Sequence, residues 1–265
     1  MPAGKFAMGS SAGYKDEQPI HPVTIEKPFW MAKFEINNRL YKLFDSEHDS
    51  RYLNPMGKDQ GNRGVPMNKA DQPVVRVSWE RASEFCRWLS QKTGLKFELP
   101  TEAQWEYACR AGTDTPLFYG EIDADFSKYA NVADRALMLL KGKKGPPGWR
   151  LGDGRYGDHG QETMPVGYYQ PNAWGLHDMH GNAAEWVRSS YMPYPYNEDD
   201  GRNSGESNVR KVARGGSFYD RPKRCVSSFR LSYPAWRRVY NVGFRVVADV
   251  SKDQSRSLAS AKKSK

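Results

Sequence analysis

Short apolar runs separated by polar loops predict several strands. Residues 6–9 and 23–25 form two such runs around a polar loop, and residues 29–34 continue as an aromatic-rich strand. Asn37 has a side chain suited to capping a helix after them, in which Leu40, Leu43 and Phe44 recur at helical spacing. Near the C-terminal end, residues 209–214 form another run of this kind. The pattern predicts short strands joined by long connections.

Two segments instead repeat apolar residues at helical spacing. The first follows Ser78, a suitable N-cap, and Gly94 is placed to end it. In the second, Thr101 and Gln104 have the spacing of a capping box, which predicts a helix with Trp105 turned inward. The inward face of the first helix carries Ala82, Phe85, Cys86 and Leu89.

Much of the remaining chain is predicted to be irregular. Residues 49–72 and 113–173 are polar and poor in periodic apolar positions. The 265 residues include 17 Pro and 24 Gly, and only 38% are apolar, yet 13% are aromatic. Such a chain buries its core through large, partly polar rings. The length suits one large domain or two small ones.

The formal net charge of +9 raises the question of nucleic-acid binding. Residues 251–265 hold five Lys or Arg and one Asp, and they lack aromatic residues, as is typical of a disordered basic tail. The remaining positive charge is spread thinly, without a dense basic helix. The distribution therefore favours a solvated basic surface over a nucleic-acid site.

Other sequence signals exclude few compartments. No stretch approaches the roughly 20 apolar residues of a membrane span. The N-terminus lacks the basic-then-apolar pattern of a secretory signal, and the chain begins directly on a predicted strand, so an upstream signal or domain is a possibility to consider. Cys86, Cys109 and Cys225 allow at most one disulfide, and three reduced, mostly buried thiols are the simpler prediction.

Three motifs occur in order along the chain and carry a family resemblance. The first opens the second predicted helix as Leu99-Pro-Thr-Glu-Ala-Gln-Trp-Glu106, and the second is Asn172-Ala-Trp-Gly-Leu-His-Asp-Met-His-Gly-Asn-Ala-Ala-Glu-Trp186. The third begins as Arg214-Gly-Gly-Ser217 and ends as Asn241-Val-Gly-Phe-Arg245. Together they resemble the formylglycine-generating enzymes, or sulfatase-modifying factors. The resemblance implies one α+β domain over residues 1–250, with a C-type-lectin-like fold and little regular secondary structure, followed by the tail.

The same resemblance locates the catalytic position. In the family, the Arg-Gly-Gly-Ser turn leads into two cysteines five residues apart, which bind copper(I) and convert a substrate cysteine to an aldehyde. Here the second position is Cys225, but the first is Asp220, and Ser217 matches the active-site serine. Because carboxylate oxygen is a hard ligand and copper(I) prefers sulfur, Asp220 argues against copper at this place. Iron is not indicated either, because the His-x-x-x-His-x-Glu motif of the family's iron-binding sulfoxide synthases is absent.

The resemblance also implies two structural calcium sites. Carboxylates and main-chain oxygens are the ligands that Ca²⁺ prefers, and they would satisfy the carbonyl groups of long irregular loops. His177 and His180 invite a transition-metal interpretation, but no third soft ligand is near them in the sequence, which favours structural roles. The first calcium site maps onto Asp178, Gly181, Ala183 and Glu185, and the second maps onto Asn131, Val132, Asp158 and Gly160.

The segment around Cys225 also predicts a ligand pocket. Its arginines alternate with aromatic residues, a pattern that can hold an anionic or peptide ligand, although the arginines could equally pair with surface acids. The predicted pocket residues are Arg221, Arg224, Arg230 and Trp236.

Three functions remain open at this stage. The first is an oxidoreductase-like maturation enzyme of unknown peptide, protein or small-molecule substrate, without the copper site. The second is a calcium-stabilised binding module for a peptide, glycan or protein. The third is a sulfatase-activating cysteine oxidase. Family members are often secreted or periplasmic, which leaves the compartment of this chain undetermined.

Overall fold

In the computed structural model, the described residues form short strands, short 3-10 helices at Lys15–Glu17 and Pro222–Arg224, and α-helices in a mixed α+β architecture. Two strands pair antiparallel at the N-terminus, β1 (Gly4–Met8) and β2 (His21–Ile25). The third strand was predicted over residues 29–34 but is shorter, since β3 covers only Phe29–Met31. The structure describes residues 1–54, 64–134, 137, 156–157, 160 and 162–250.

The predicted helix caps are confirmed by their hydrogen bonds. The short helix α1 (Asn38–Tyr41) begins where Asn37 Oδ1 accepts from the backbone N–H of Leu40 at 2.9 Å. Helix α2 (Trp79–Thr93) begins after Ser78, whose hydroxyl accepts from Arg81 N. It ends at Gly94, which has φ of +75° and therefore takes the left-handed conformation that glycine allows.

Helix α3 (Glu102–Arg110) begins with a reciprocal capping box. The Thr101 hydroxyl accepts from Gln104 N, and the Gln104 side chain accepts from Thr101 N. Nearly all of this helix is buried, including Trp105, Glu102 and Glu106. Two buried acids require cationic partners, and these are Arg110 of the same helix, Arg214 and Arg230.

The central sheet has the order β10-β7-β8-β9. It is built from β7 (Ala184–Ser190), β8 (Arg210–Arg214), β9 (Leu231–Pro234) and β10 (Val242–Phe244). Strands β7 and β10 run parallel and the other pairs run antiparallel. The sheet therefore brings the second sequence motif, on β7, beside both parts of the third.

Two smaller sheets complete the fold. One has the order β3-β11-β6, in which β6 is Phe97–Glu98 and β11 is Val247–Asp249. The other pairs β4 (Tyr52–Leu53) with β5 (Val65–Pro66), so the segment predicted as an unbroken loop contains a short hairpin. None of the helices in the described part of the chain has the length and apolar character needed to cross a membrane. The predicted tail lies outside the described residues.

Candidate functional site

The turn after β8 lies directly against Cys225. Gly215 and Gly216 have φ of +88° and +65°, a region that favours glycine. A Cβ atom on Gly216 would lie 2.5 Å from the carbonyl oxygen of Arg224 and 2.6 Å from Cys225 Sγ. The second glycine is therefore required both by its backbone conformation and by this close approach.

The Cys225 thiol is buried beneath the turn. Its sulfur lies 3.8 Å from the main-chain oxygen of Ser217 and 3.6 Å from that of Asp220, and the residue has no exposed surface. On its other side it packs with Phe126 and Val132. The three cysteines are all buried, and the described residues contain no disulfide between them. Burial raises the pKa of the Cys86 and Cys109 thiols to about 12.

The Asp220 carboxylate is held in a hydrogen-bonded chain. Ser217 Oγ donates to Asp220 Oδ2 at 2.7 Å and accepts from Asn241 Nδ2 at 2.7 Å. Arg224 approaches the other carboxylate oxygen at 3.4 Å. Because Tyr219 N also donates to Ser217 Oγ, at 3.3 Å, the serine hydroxyl is fully engaged and orients Asp220.

Asp220 and Asn241 line a cleft of about 540 Å³ that opens beside the turn. Its aromatic lining consists of Tyr14, Tyr219, Phe229, Tyr233 and Tyr240, and its arginines are Arg221, Arg224, Arg230, Arg237 and Arg238. Cys225 is not a lining residue. The structure thus separates the two members of the expected catalytic pair: the Asp220 carboxylate faces the cleft, whereas the thiol contacts main-chain oxygens behind it.

Two of the predicted pocket residues differ from expectation. Arg230 is only 4% exposed, and its guanidinium donates to both oxygens of Glu102 at 2.6 and 3.0 Å and to the main-chain oxygens of Asp16 and Met192. Its donors are therefore occupied within the protein. Trp236 is 64% exposed and lies outside the cleft lining. Sequence periodicity cannot distinguish these positions, because Arg230 becomes buried through contacts with distant segments.

Buried ion pairs fix the base of the cleft to α3. Arg214, which precedes the two glycines, pairs with Glu106 and with Glu102, the latter at 3.3 Å. Its guanidinium also donates to the carbonyl oxygens of Ser227 and Ser228 at 2.7 and 2.8 Å. Breaking one partner of such a buried pair costs roughly 3–5 kcal/mol, so the turn is held rigidly.

The two histidines have separate structural roles. His177 Nδ1 donates to the Tyr169 carbonyl at 2.6 Å. His180 Nδ1 donates to the Cys225 carbonyl at 2.6 Å, and its Nε2 accepts from Phe118 N at 3.1 Å. Burial lowers the pKa of His180 to about 4, so its ring is neutral at physiological pH. The ring supports the main chain at Cys225 through its hydrogen bond. Both ring nitrogens of His180 are thus engaged within the protein, which leaves neither for a metal ion shared with His177.

The predicted first calcium site contains a buried oxygen without a partner. Asp178 Oδ2 accepts from Gly167 N at 2.7 Å, whereas its Oδ1 has no hydrogen bond within the described residues. Glu185 accepts three hydrogen bonds, one from Trp105 and two from Arg245, and a carboxylate has about four acceptor positions. Both side chains therefore retain an acceptor position for a cation.

A third buried acid, Glu35, lies beside this site and was not singled out from the sequence. Its oxygens accept from Ala183 N at 3.0 Å and from Asn182 Nδ2 at 2.7 Å. Burial, reinforced by nearby carboxylates, raises the pKa of both Glu35 and Asp178. In the described part of the chain, no three His, Cys, Asp or Glu side chains are grouped as metal ligands, so calcium here would also need the main-chain oxygens of Gly181 and Ala183.

The predicted second calcium site is described in part. Asn131 is buried, and its Nδ2 donates to the Glu162 carbonyl at 2.8 Å and to Asn182 Oδ1 at 3.1 Å. Its Oδ1 has no hydrogen bond within the ranges described, and Gly160 lies against it. Val132 is buried beside it, and Asp158 lies outside the described residues.

Comparisons with known proteins point to one protein family. Residues 1–250 match the sulfatase-modifying factor enzyme 1-like domain. The chain is 30% identical to the formylglycine-generating enzyme of Bos taurus, covering 94% of this chain and 74% of that protein. It is 28% identical to the inactive C-alpha-formylglycine-generating enzyme 2 of Mus musculus, covering 83% and 73%.

Among solved structures, PvdO from Pseudomonas aeruginosa superimposes with a TM-score of 0.73 at 27% identity, covering 94% of this chain and 93% of that one. The expected α+β fold of the formylglycine-generating enzyme type is thus confirmed. The chain belongs to the sulfatase-modifying factor family and is a divergent member of it.

Proposed function

We propose that this chain is a ligand-binding member of the family and does not use the copper dithiolate chemistry. The observation that supports this most directly is the position of Asp220. Its carboxylate faces the cleft and is held by Ser217 and Arg224, at the position of the first family cysteine. Hard oxygen paired with a thiol that is turned away from the cleft is a poor copper(I) site. The chain is also similar to a relative that is named as inactive, which is consistent with a member of this family that lacks formylglycine-generating activity.

The proposal can be tested without knowing the ligand. Arg221 lies on the rim of the cleft and is exposed. A cysteine at this position would react with a bulky maleimide, whereas the three native thiols are buried. A library of peptides, glycans and small molecules of both signs of charge is first screened against the unlabelled chain. We expect the compounds that bind it to bind the maleimide-labelled (capped) Arg221→Cys protein no longer.

The matched control carries the same label on the exposed Arg87 of α2, which does not line the cleft. This protein should bind the same hits as the unlabelled chain. Hits that bind the capped Arg221→Cys protein unchanged would show that the ligand site lies elsewhere, and the proposal would then be wrong.

A second candidate is the oxidoreductase-like maturation enzyme. It is favoured by the hydrogen-bonded chain of Asn241, Ser217 and Asp220, which presents an oriented carboxylate to the cleft as a proton acceptor or a hard metal ligand. Metal analysis of the purified protein separates the candidates. A stoichiometric redox metal that is lost in Asp220→Ala would support the enzyme, and its absence from the wild-type protein would support the binding role.

The third candidate, cysteine oxidation for sulfatase activation, has a gain-of-function test. Incubation with copper(I), oxygen and a Cys-x-Pro-x-Arg peptide should leave the peptide mass unchanged with the wild-type chain. Asp220→Cys restores two cysteines five residues apart, and we expect this variant to retain copper(I) against a competing chelator where the wild-type protein does not. Aldehyde formation by the wild-type chain would contradict the proposed binding role.

We also propose that Ca²⁺ stabilises the fold at the two predicted sites. Support comes from buried oxygens of Asp178 and Asn131 that have no hydrogen-bond partner among the described residues. It also comes from the buried acids Glu35, Asp178 and Glu185, which lie near the guanidinium of Arg245. A hard cation would supply the missing positive charge and would accept these oxygens as ligands.

A further inference from the structure

The lining of the cleft contains more positive than negative side chains. Of its five arginines, Arg230 is neutralised by Glu102, and Arg224 lies beside Asp220. The other lining acid, Asp16, accepts a hydrogen bond from the neutral Tyr191 hydroxyl and keeps its negative charge. One lining acid is thus left to offset the remaining arginines, so the lining carries an excess of positive charge.

These remaining arginines are Arg221, Arg237 and Arg238. All three are exposed, and none forms an ion pair with any residue of the described ranges. Three like charges around one cleft repel one another, and this repulsion is relieved when an anion binds between them. Guanidinium groups also hold carboxylate and phosphate in two-point contacts.

The walls between the arginines are aromatic and apolar. Tyr219 and Tyr240 meet edge to face, with ring centroids 5.6 Å apart, and Leu231 and Val239 add aliphatic surface. A volume of about 540 Å³ is in the range that holds a small molecule or a few residues of a peptide. The cleft therefore offers aromatic and aliphatic surface next to an excess of positive charge.

We infer that the cleft selects a ligand that carries a carboxylate or phosphate group on an aromatic body. This inference rests on the proposed binding function and adds the chemical class of the ligand. The predicted ligand is negatively charged, whereas the Cys-x-Pro-x-Arg substrate motif carries a positive arginine. Arg221, Arg237 and Arg238 would repel that arginine.

Probes of similar size and different charge test the inference. Phenyl phosphate and terephthalate supply the two anionic groups, benzyl alcohol is neutral, benzylamine is cationic, and inorganic phosphate lacks the ring. Isothermal titration at low salt should show binding of both aromatic anions, at least about tenfold tighter than the other probes. Raising the salt to about 0.5 M should weaken this binding, because exposed charges are screened.

Substitutions place the effect in the cleft. The double substitution Arg221→Gln and Arg237→Gln should weaken the binding of the aromatic anions about tenfold or more. Arg87→Gln removes an exposed arginine outside the cleft and should leave their binding unchanged. Circular dichroism and the melting temperature should match the wild-type chain, because neither arginine has an ion pair to lose within the described residues.

The outcomes separate this inference from the proposed function. If benzylamine binds as well as the aromatic anions and is blocked by the label at position 221, the cleft is a ligand site but the inferred charge is wrong. If inorganic phosphate binds as tightly as phenyl phosphate, the aromatic part of the inference is wrong. If the library compounds bind the protein labelled at position 221 as well as the unlabelled chain, the proposed function itself is wrong.

Discussion

At the scale of single residues, several buried arginines of the described chain form ion pairs, whereas the buried Lys211 does not. Arg214, Arg230 and Arg245 each bind buried glutamates. Lys211 lies on β8 without exposed surface and forms no ion pair with an acid of the described chain. Its Nζ donates to Ser190 Oγ at 3.1 Å and lies 4.2 Å from the centre of the Trp79 ring. Burial lowers its pKa to about 8.

Replacing this lysine should therefore stabilise the protein at neutral pH. Lys211→Met keeps an unbranched side chain that is one atom shorter and removes the cost of burying a charge, so we expect a gain of roughly 1 kcal/mol, or about 2–4 °C in melting temperature. Because the pKa is lower in the folded state, wild-type stability should rise as the pH increases from about 8 towards 10. The advantage of Lys211→Met should shrink over this range.

Thermal melts of both proteins from pH 6 to 10 measure this difference. Lys5→Met provides a control, because Lys5 is an exposed residue of β1. A constant difference between Lys211→Met and the wild-type chain across the whole range would show that Lys211 is not held with a lowered pKa.

At the scale of elements, the connection after β8 depends on the space beside its second glycine. Gly216 and Gly94 both have φ in the left-handed region, +65° and +75°. A Cβ on Gly94 would meet nothing within 4 Å, whereas one on Gly216 would meet the Arg224 carbonyl and the Cys225 sulfur. The two glycines therefore share the same backbone requirement and differ in steric contact.

This difference predicts unequal effects of the same substitution. Gly94→Ala should cost about 1–2 kcal/mol of unfolding free energy, the usual penalty for Cβ in this backbone conformation. Gly216→Ala should add roughly 1–3 kcal/mol, because the rigid carbonyl and buried thiol must move. Urea unfolding of the two variants measures the difference. Equal destabilisation would mean that the turn relaxes without strain.

At the scale of the whole molecule, long irregular segments surround a buried acidic region. The chain joins these segments through side-chain contacts across long distances in sequence, such as Asn182 to Glu35, 147 positions apart. Irregular backbone of this kind has few repeating hydrogen bonds, and bound cations can replace them. Global stability should therefore depend on calcium.

Chelation gives the corresponding prediction. At a calcium concentration about 100-fold above the dissociation constant, binding adds about 2.7 kcal/mol. EDTA should therefore lower the melting temperature by roughly 5–10 °C, and added Ca²⁺ should restore it. Calorimetry should show weaker calcium binding for Asp178→Ala but unchanged binding for the exposed control Asp199→Ala. A melting temperature that EDTA leaves unchanged, together with no heat of binding, would refute both calcium sites.

Local features of the fold were predictable from sequence. The caps at Asn37, Ser78 and Thr101 and the helix end at Gly94 depend on residues within four positions of one another. Such signals need no knowledge of the rest of the molecule. The family motifs likewise indicated the fold, because the turn after β8 requires glycine through its local backbone conformation.

The character of the site depended on contacts between distant segments. The motif indicated Asp220 beside Cys225, but only the tertiary structure directs the carboxylate into the cleft and turns the thiol away from it. Arg230 became a buried ion-pair partner because Glu102, 128 positions away, approaches it. Glu35 reached the acidic region in the same way. Burial is decided by packing of the whole chain, and it determines which charged groups remain available to a ligand.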